Sequence, residues 1–118
     1  MRPTRKRSRP SAAPTTFGKR KLEELIEEAI VDAYGESEQR VGFLTMLEEK
    51  LAFPFEIEIL GASAIVEGVD LNDAEDIVAI CRRDRHEQLI PILNPALPSP
   101  RPVGWEWIEA YRRWARGR

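Results

Sequence analysis

The chain has little of what catalytic and disulfide-bonded proteins commonly use. Its 118 residues include one cysteine, Cys81, and one histidine, His86. A single cysteine excludes an intramolecular disulfide and a zinc site built from several thiolates, so we expect a reducing, cytoplasmic compartment. No run of 18 apolar residues is present. We therefore expect no membrane-spanning segment.

Catalytic groups are equally scarce. His86 falls in a predicted turn among charged residues, where the sequence supplies neither a partner nor a pocket for a general base. Cys81 falls in an apolar segment, which is typical of a small buried side chain rather than a nucleophile. Phosphate-loop, dinucleotide-binding, serine-hydrolase and zinc-protease motifs are absent from the sequence. We expect that the protein is not an enzyme.

Charge is strongly segregated along the chain, although the net charge is only −2. Residues 1–21 carry eight basic side chains and no acid, and residues 112–118 carry four more. All 20 acidic residues lie between, which leaves residues 22–111 at −14. Such a body repels a nucleic-acid backbone and attracts cations, so nucleic acid could bind only weakly, through the basic N-terminus. The alternative is an acidic surface that simply keeps the protein soluble.

Periodicity predicts an α+β protein in two parts, a disordered basic arm at residues 1–20 and a single acidic domain at residues 21–118. Apolar residues at helical spacing predict a first helix over residues 22–33, ended by Gly35. Ser37 is expected to cap a second helix that ends near Leu51. Its expected buried line is Val41, Leu44, Leu47 and Leu51.

Four strands and a third helix are expected after the second helix. The predicted strands are residues 55–59, 64–69, 77–81 and 89–93, with a turn at Gly61 and a longer polar turn at residues 82–88. A proline-rich connection at residues 95–102 leads to a helix over residues 104–115. On that helix Trp107, Tyr111 and Trp114 form a buried aromatic stripe, with Trp105 off it and partly exposed. The strands would form a small antiparallel four-stranded sheet or half-barrel.

One segment concentrates oxygen donors of the kind that calcium prefers. Five side chains within seven residues offer carboxylate or amide oxygens, namely Asp70, Asn72, Asp73, Glu75 and Asp76. An EF-hand is rejected because Ala74, Glu75 and Cys81 occupy its fifth, sixth and twelfth positions. Magnesium could bind weakly through one or two carboxylates. A second candidate group of metal ligands comprises Glu36, Glu48 and Glu49, for which ordinary solvated helix charge is the alternative.

Residues 28–55 resemble the calcium-binding family first described in cyanobacteria (CcbP-like). The resemblance is carried by Asp-Ala-Tyr-Gly at residues 32–35, Leu-Glu-Glu at residues 47–49 and Phe-Pro-Phe at residues 53–55. Residues 66–68 and 89–92 resemble later strands of that family, and residues 105–114 resemble its terminal aromatic helix. The resemblance implies a small acidic α+β protein that binds Ca²⁺ without an EF-hand and is not an enzyme.

The leading hypothesis is therefore a soluble non-EF-hand calcium-binding protein that acts as a Ca²⁺ buffer or sensor through carboxylate-rich sites. The alternative is a protein–protein interaction module that docks an unidentified protein partner through residues 95–102 and the aromatic C-terminal helix.

Overall fold

The computed structural model describes residues 18–93 and 95–117. Its elements are, in chain order, α1 (Lys19–Ala29), α2 (Glu36–Lys50), β1 (Phe55–Ile59), β2 (Ala62–Leu71), β3 (Ile77–Arg83), β4 (His86–Pro91) and α3 (Glu106–Gly117). The strands form one antiparallel sheet in the order β1-β2-β3-β4. The predicted α+β class with a four-stranded antiparallel sheet is confirmed.

The predicted basic arm lies mostly outside the described residues. Its last two residues, Lys19 and Arg20, are the first two residues of α1, so the helix begins earlier than expected. Within the described ranges, no helix combines the length and the apolar character needed to cross a membrane.

Both tight hairpins of the sheet have shorter turns than the predicted strand boundaries imply. Leu60 and Gly61 join β1 to β2 with φ values of 51° and 79°, the left-handed pair that suits a two-residue hairpin. β3 and β4 are paired to Arg83 and His86, so the predicted turn at residues 82–88 is wrong in length. Charged side chains at the solvent-exposed end of a hairpin leave the backbone ladder intact, and this is why polarity alone misplaced the turn.

The core lies between one face of the sheet and the helices. Ile57, Val66 and Ile77 are buried on the sheet, and Phe43 of α2 places its ring centroid 5.5 Å from that of Tyr111 of α3. The aromatic stripe of α3 is confirmed, because Trp107 and Tyr111 are buried and Trp114 packs against the same cluster.

Trp105 differs from the expectation of partial exposure, because its side chain is only 1% exposed. The guanidinium of Arg101 lies 5.2 Å from the centroid of its ring and covers it. The proline-rich connection therefore folds over Trp105, which a helical projection of α3 cannot reveal.

The junction between α1 and α2 corrects three expectations. α1 ends at Ala29 rather than at residue 33, and Asp32 takes a left-handed φ of 62° that no helix continues. Gly35 is the N-cap of α2 instead of the end of α1. Ser37 lies inside the first turn of α2, so it is not the cap, and its hydroxyl is free to contact another element.

The buried line of α2 agrees only in part with the predicted one. Leu47 and Leu51 are buried as predicted and Leu44 is partly buried, but Val41 is 47% exposed, and Arg40 and Phe43 belong to the buried face. Gly42 explains the orientation, because a Cβ there would lie 2.1 Å from the carbonyl oxygen of Ala29. This face of α2 lies directly against the end of α1.

Candidate metal site

The acidic segment ends β2 and forms a tight loop before β3. The backbone N–H of Asn72 donates to the carbonyl of Asp76 (3.0 Å), and the N–H of Glu75 donates to the carbonyl of Asn72 (2.9 Å). The side-chain Oδ1 of Asn72 accepts two further bonds, from the N–H groups of Ala74 and Asp76, each at 2.9 Å. An amide oxygen accepts about two hydrogen bonds, so Asn72 holds the loop in shape.

This loop turns its carboxylates outward. Asp70, Asp73 and Glu75 are exposed, and Asp76 is half-buried. Asp70 is the second-last residue of β2, and its Oδ1 accepts a hydrogen bond from the backbone N–H of Leu71 at 2.8 Å. Glu75 has a left-handed φ of 67°. The loop therefore presents several anionic oxygens to solvent from a compact, hydrogen-bonded backbone.

Glu75 connects the loop to the first turn of α2. The hydroxyl of Ser37, 38 residues earlier in the chain, donates to Glu75 Oε1 and Oε2 at 3.0 Å each. The guanidinium of Arg40 lies 3.6 Å from Glu75 Oε1 and 3.6 Å from Glu36 Oε1. Glu36 and Glu75, which belong to the two separate predicted groups, thus both lie against Arg40.

The second predicted group does not stay together. Glu48 and Glu49 are exposed residues near the end of α2. Twelve residues of helix separate Glu48 from Glu36, which is about 18 Å along the helix axis. Glu36 belongs with the β2–β3 loop, and the two later glutamates lie on a different part of the surface.

Arg40 is the residue of this region that sequence reasoning missed. It is 6% exposed, and its Nε is buried without a hydrogen-bond partner in the described part of the chain. Its guanidinium carbon lies 5.4 Å from the centroid of the Trp114 ring, whose Nε1 donates to Gln39 Oε1 at 3.0 Å. The available signal was an arginine four residues after Glu36 in a strongly acidic body, a spacing that favours an ion pair within one helix.

The acidic junction, where the β2–β3 loop meets the first turn of α2, has donor atoms that suit a hard cation. Glu36 and the β2–β3 loop offer oxygen atoms only, and calcium takes six to eight of these. Between residues 18 and 117, with residue 94 excepted, no three His, Cys, Asp or Glu side chains are already arranged to hold an ion. The residues therefore fit calcium in kind, while a complete shell needs loop adjustment, backbone carbonyls or water.

Nitrogen and sulfur donors lie elsewhere. His86 begins β4 opposite Arg83, at the far end of β3 from the acidic loop. Six residues of strand span about 20 Å, so His86 lies well outside the acidic junction. Cys81 is 3% exposed, and burial raises the pKa of its thiol.

We expect Cys81 to resist alkylation in the folded protein. A buried thiol with a raised pKa carries little thiolate at about pH 8, and the thiolate is the reactive form. Iodoacetamide treatment followed by mass spectrometry should show an unmodified native chain and one adduct after unfolding in guanidinium. Rapid modification of the native protein would contradict the buried position.

Two arginines hold the proline-rich connection: Arg112 of α3 joins it to the domain, and Arg101 bonds within it. Arg112 of α3 donates to the carbonyls of Ile92 (2.9 and 3.0 Å) and Pro95 (2.7 Å), and burial lowers the pKa of this guanidinium. Arg101 donates to the carbonyl of Leu97 at 2.7 Å. These bonds fix the shape of the connection, while Ala96, Ser99 and Pro100 remain exposed on it.

A family model and two solved structures of known proteins are similar to this chain. A family model described as calcium binding, of the CcbP type, matches residues 23–94. The crystal structure of Anabaena CcbP superposes with a TM-score of 0.65, at 18% identity over 87% of this chain and 95% of that one. A calcium-binding protein in its calcium-binding form superposes with a TM-score of 0.65, at 22% identity over 89% of this chain and 98% of that one. No curated protein sequence matches the chain.

Proposed function

We propose that this chain, which belongs to the CcbP-type calcium-binding family, binds Ca²⁺ where the β2–β3 loop meets the first turn of α2. The observation that carries the proposal is the convergence of Glu36 and Glu75 on Arg40, because carboxylates from two distant segments then lie against the same guanidinium. Neighbouring carboxylates that repel each other are stabilised when a divalent cation binds between them.

The proposed ligands are carboxylates at this junction, namely Asp70, Asp73, Glu75 and Asp76 of the loop segment together with Glu36 of α2. Asn72 supports them, because its Oδ1 accepts two backbone N–H groups and so fixes the loop from which they project. Ser37 would orient Glu75 through its hydroxyl. Glu48 and Glu49 remain candidates for a separate, weaker site at the other end of α2.

We further propose that calcium is bound without an EF-hand and that the protein is a cytoplasmic buffer or sensor rather than an enzyme. The loop joins two strands of a sheet, whereas an EF-hand loop joins two helices. His86 is exposed and far from the loop, and Cys81 is buried, so neither adds a catalytic group to the junction.

Thermal unfolding of the full chain tests calcium binding directly. A ligand that binds only the folded state at a hundredfold excess over its Kd stabilises that state by about 2.7 kcal/mol. For a domain of this size we expect calcium to raise Tm by roughly 10 °C or more. Magnesium should have a smaller effect, because it gives up its own waters reluctantly.

A melting temperature that is the same in calcium, magnesium and chelator would refute the proposal. The matched control is a chain in which Glu36 and Glu75 are both replaced by glutamine. Its melting temperature should respond far less to calcium than that of the unchanged protein.

A further inference from the structure

Arg40 lies between the proposed calcium ligands and the aromatic core. We infer that Arg40 is a positioning residue that holds Glu36 and Glu75 together in the metal-free protein and transmits calcium binding to Trp114. This inference rests on the proposed function. It adds a route by which an event at an exposed acidic loop reaches α3, and that route is what a sensor needs and a buffer does not.

The contacts of Arg40 show that charge, rather than hydrogen bonding, holds it against the two glutamates. Each guanidinium–carboxylate distance is 3.6 Å, which is longer than a hydrogen bond. The buried Nε has no hydrogen-bond partner in the described residues. Arg40 therefore gives up few directional bonds when it moves, so the balance of charge around it decides its position.

Calcium at the same carboxylates changes that balance. A divalent ion competes with the guanidinium for Glu36 and Glu75 and also repels it. The next attractive surface for Arg40 is the face of Trp114, over which its guanidinium already lies at 5.4 Å from the ring centroid. We expect calcium to weaken the ion pairs and to change the position of Arg40 over this ring.

Trp114 contacts both Arg40 and residues of α2, so its environment should change when Arg40 moves. Its indole Nε1 donates to Gln39 of α2, and its ring centroid lies 5.3 Å from that of Phe43. Arg40 lies over the face of the indole and Gln39 accepts from its N–H edge, so the indole N–H reports on any change of the Trp114 ring relative to α2. Trp114 is thereby linked to α2 and, through its own helix, to the core.

The experiment measures calcium affinity by titration calorimetry and the indole N–H resonance of Trp114 by ¹H–¹⁵N NMR. In the unchanged protein, saturation with calcium should shift this resonance more than that of Trp107. Arg40→Met removes the charge but keeps an apolar chain of similar length. It should tighten calcium binding by about tenfold, as expected when one competing unit charge a few ångströms away is lost, and abolish the Trp114 shift.

Arg82→Met is the matched control, because Arg82 pairs with Glu67 on the sheet, away from the acidic junction. It should leave both the affinity and the Trp114 shift unchanged. Arg40→Lys keeps the charge and should bind calcium close to the unchanged protein. A purely structural role for Arg40 predicts the opposite sign, weaker binding in Arg40→Met.

The outcomes separate this inference from the proposed function. Absence of calcium binding by the unchanged protein removes both. Calcium binding with no shift of Trp114, or with equal or weaker affinity in folded Arg40→Met, overturns the role of Arg40 and leaves the calcium site intact. If Arg40→Met does not fold, the Trp114 resonance decides the question. A calcium-induced shift in both the unchanged protein and Arg40→Lys supports the role of Arg40, and no shift in either overturns it.

Discussion

Replacing Gly104 with alanine is expected to cost about 3 kcal/mol or more of folding free energy and to destroy the native packing of α3. A Cβ at this position would lie 2.0 Å from the carbonyl oxygen of Lys50 and 2.7 Å from the Cα of Leu51. All of the nearest atoms belong to backbone, so no side-chain rotation relieves the clash. The φ of 89° adds a second cost for any residue with a Cβ.

The reason for the close approach is visible in the hydrogen bonds around it. The N–H of Ala52 donates to the carbonyl of Val103 at 2.8 Å, which fixes the chain entering α3 against the end of α2. The N–H of Trp107 then donates to the carbonyl of Gly104 at 3.0 Å as the helix begins. Gly104 therefore lies where two elements far apart in sequence share backbone contact.

Gly61→Ala is the matched control for this prediction. Gly61 also has a positive φ, of 79°, but a Cβ there would meet no atom within 4 Å. It should cost about 1 kcal/mol from backbone conformation alone. Both substitutions reduce the entropy of the unfolded chain alike, so their difference isolates the contact with α2. Urea unfolding measures the two losses, and equal losses would show that the contact is unimportant.

Much of the fold follows from periodicity, and the parts that do not follow have a common cause. The alternation of apolar and acidic residues at 55–59 predicts β1, and the aromatic spacing on the last helix predicts its buried face; both are confirmed. Local patterns report how a segment meets water. They do not report which distant segment covers it, and this is why the predicted exposure of Trp105 and the predicted burial of Val41 were wrong.

The candidate site divides in the same way. The acidic loop is readable from the sequence, because its donors are consecutive. The meeting of Glu75 with Glu36 is not, because it depends on the shape that Asn72 gives the loop and on the position of α2 beside it. The spacing of Arg40 four residues after Glu36 indicates an ion pair within α2, whereas the burial of Arg40 and its contact with Glu75 follow only from the three-dimensional position of the loop.

Replacing Glu75 with glutamine is expected to weaken calcium binding by about a hundredfold, the upper range for altered groups at a metal site. The amide keeps the size of the side chain but removes the charge that a hard cation requires. Ser37 can still donate to the amide oxygen, so the loop should remain in contact with α2. The free energy of unfolding without calcium should fall as well, because the buried guanidinium of Arg40 then keeps only Glu36 as a carboxylate partner.

Glu48→Gln and Glu49→Gln together form the control, since they remove two charges from the same helix at its distant end. If the loss of negative charge alone matters, this double variant, which loses two charges, should bind calcium more weakly than Glu75→Gln, which loses one. A local site at the junction predicts the reverse: the affinity of the tighter site in the double variant should stay within about twofold of the unchanged protein, because charges about 18 Å away lie beyond the Debye length of roughly 8 Å. Only a weaker second site, if Glu48 and Glu49 form one, should be lost. Calorimetric titration of the three proteins at physiological ionic strength distinguishes the two. Equal weakening by both variants would mean that calcium is attracted by the acidic body as a whole.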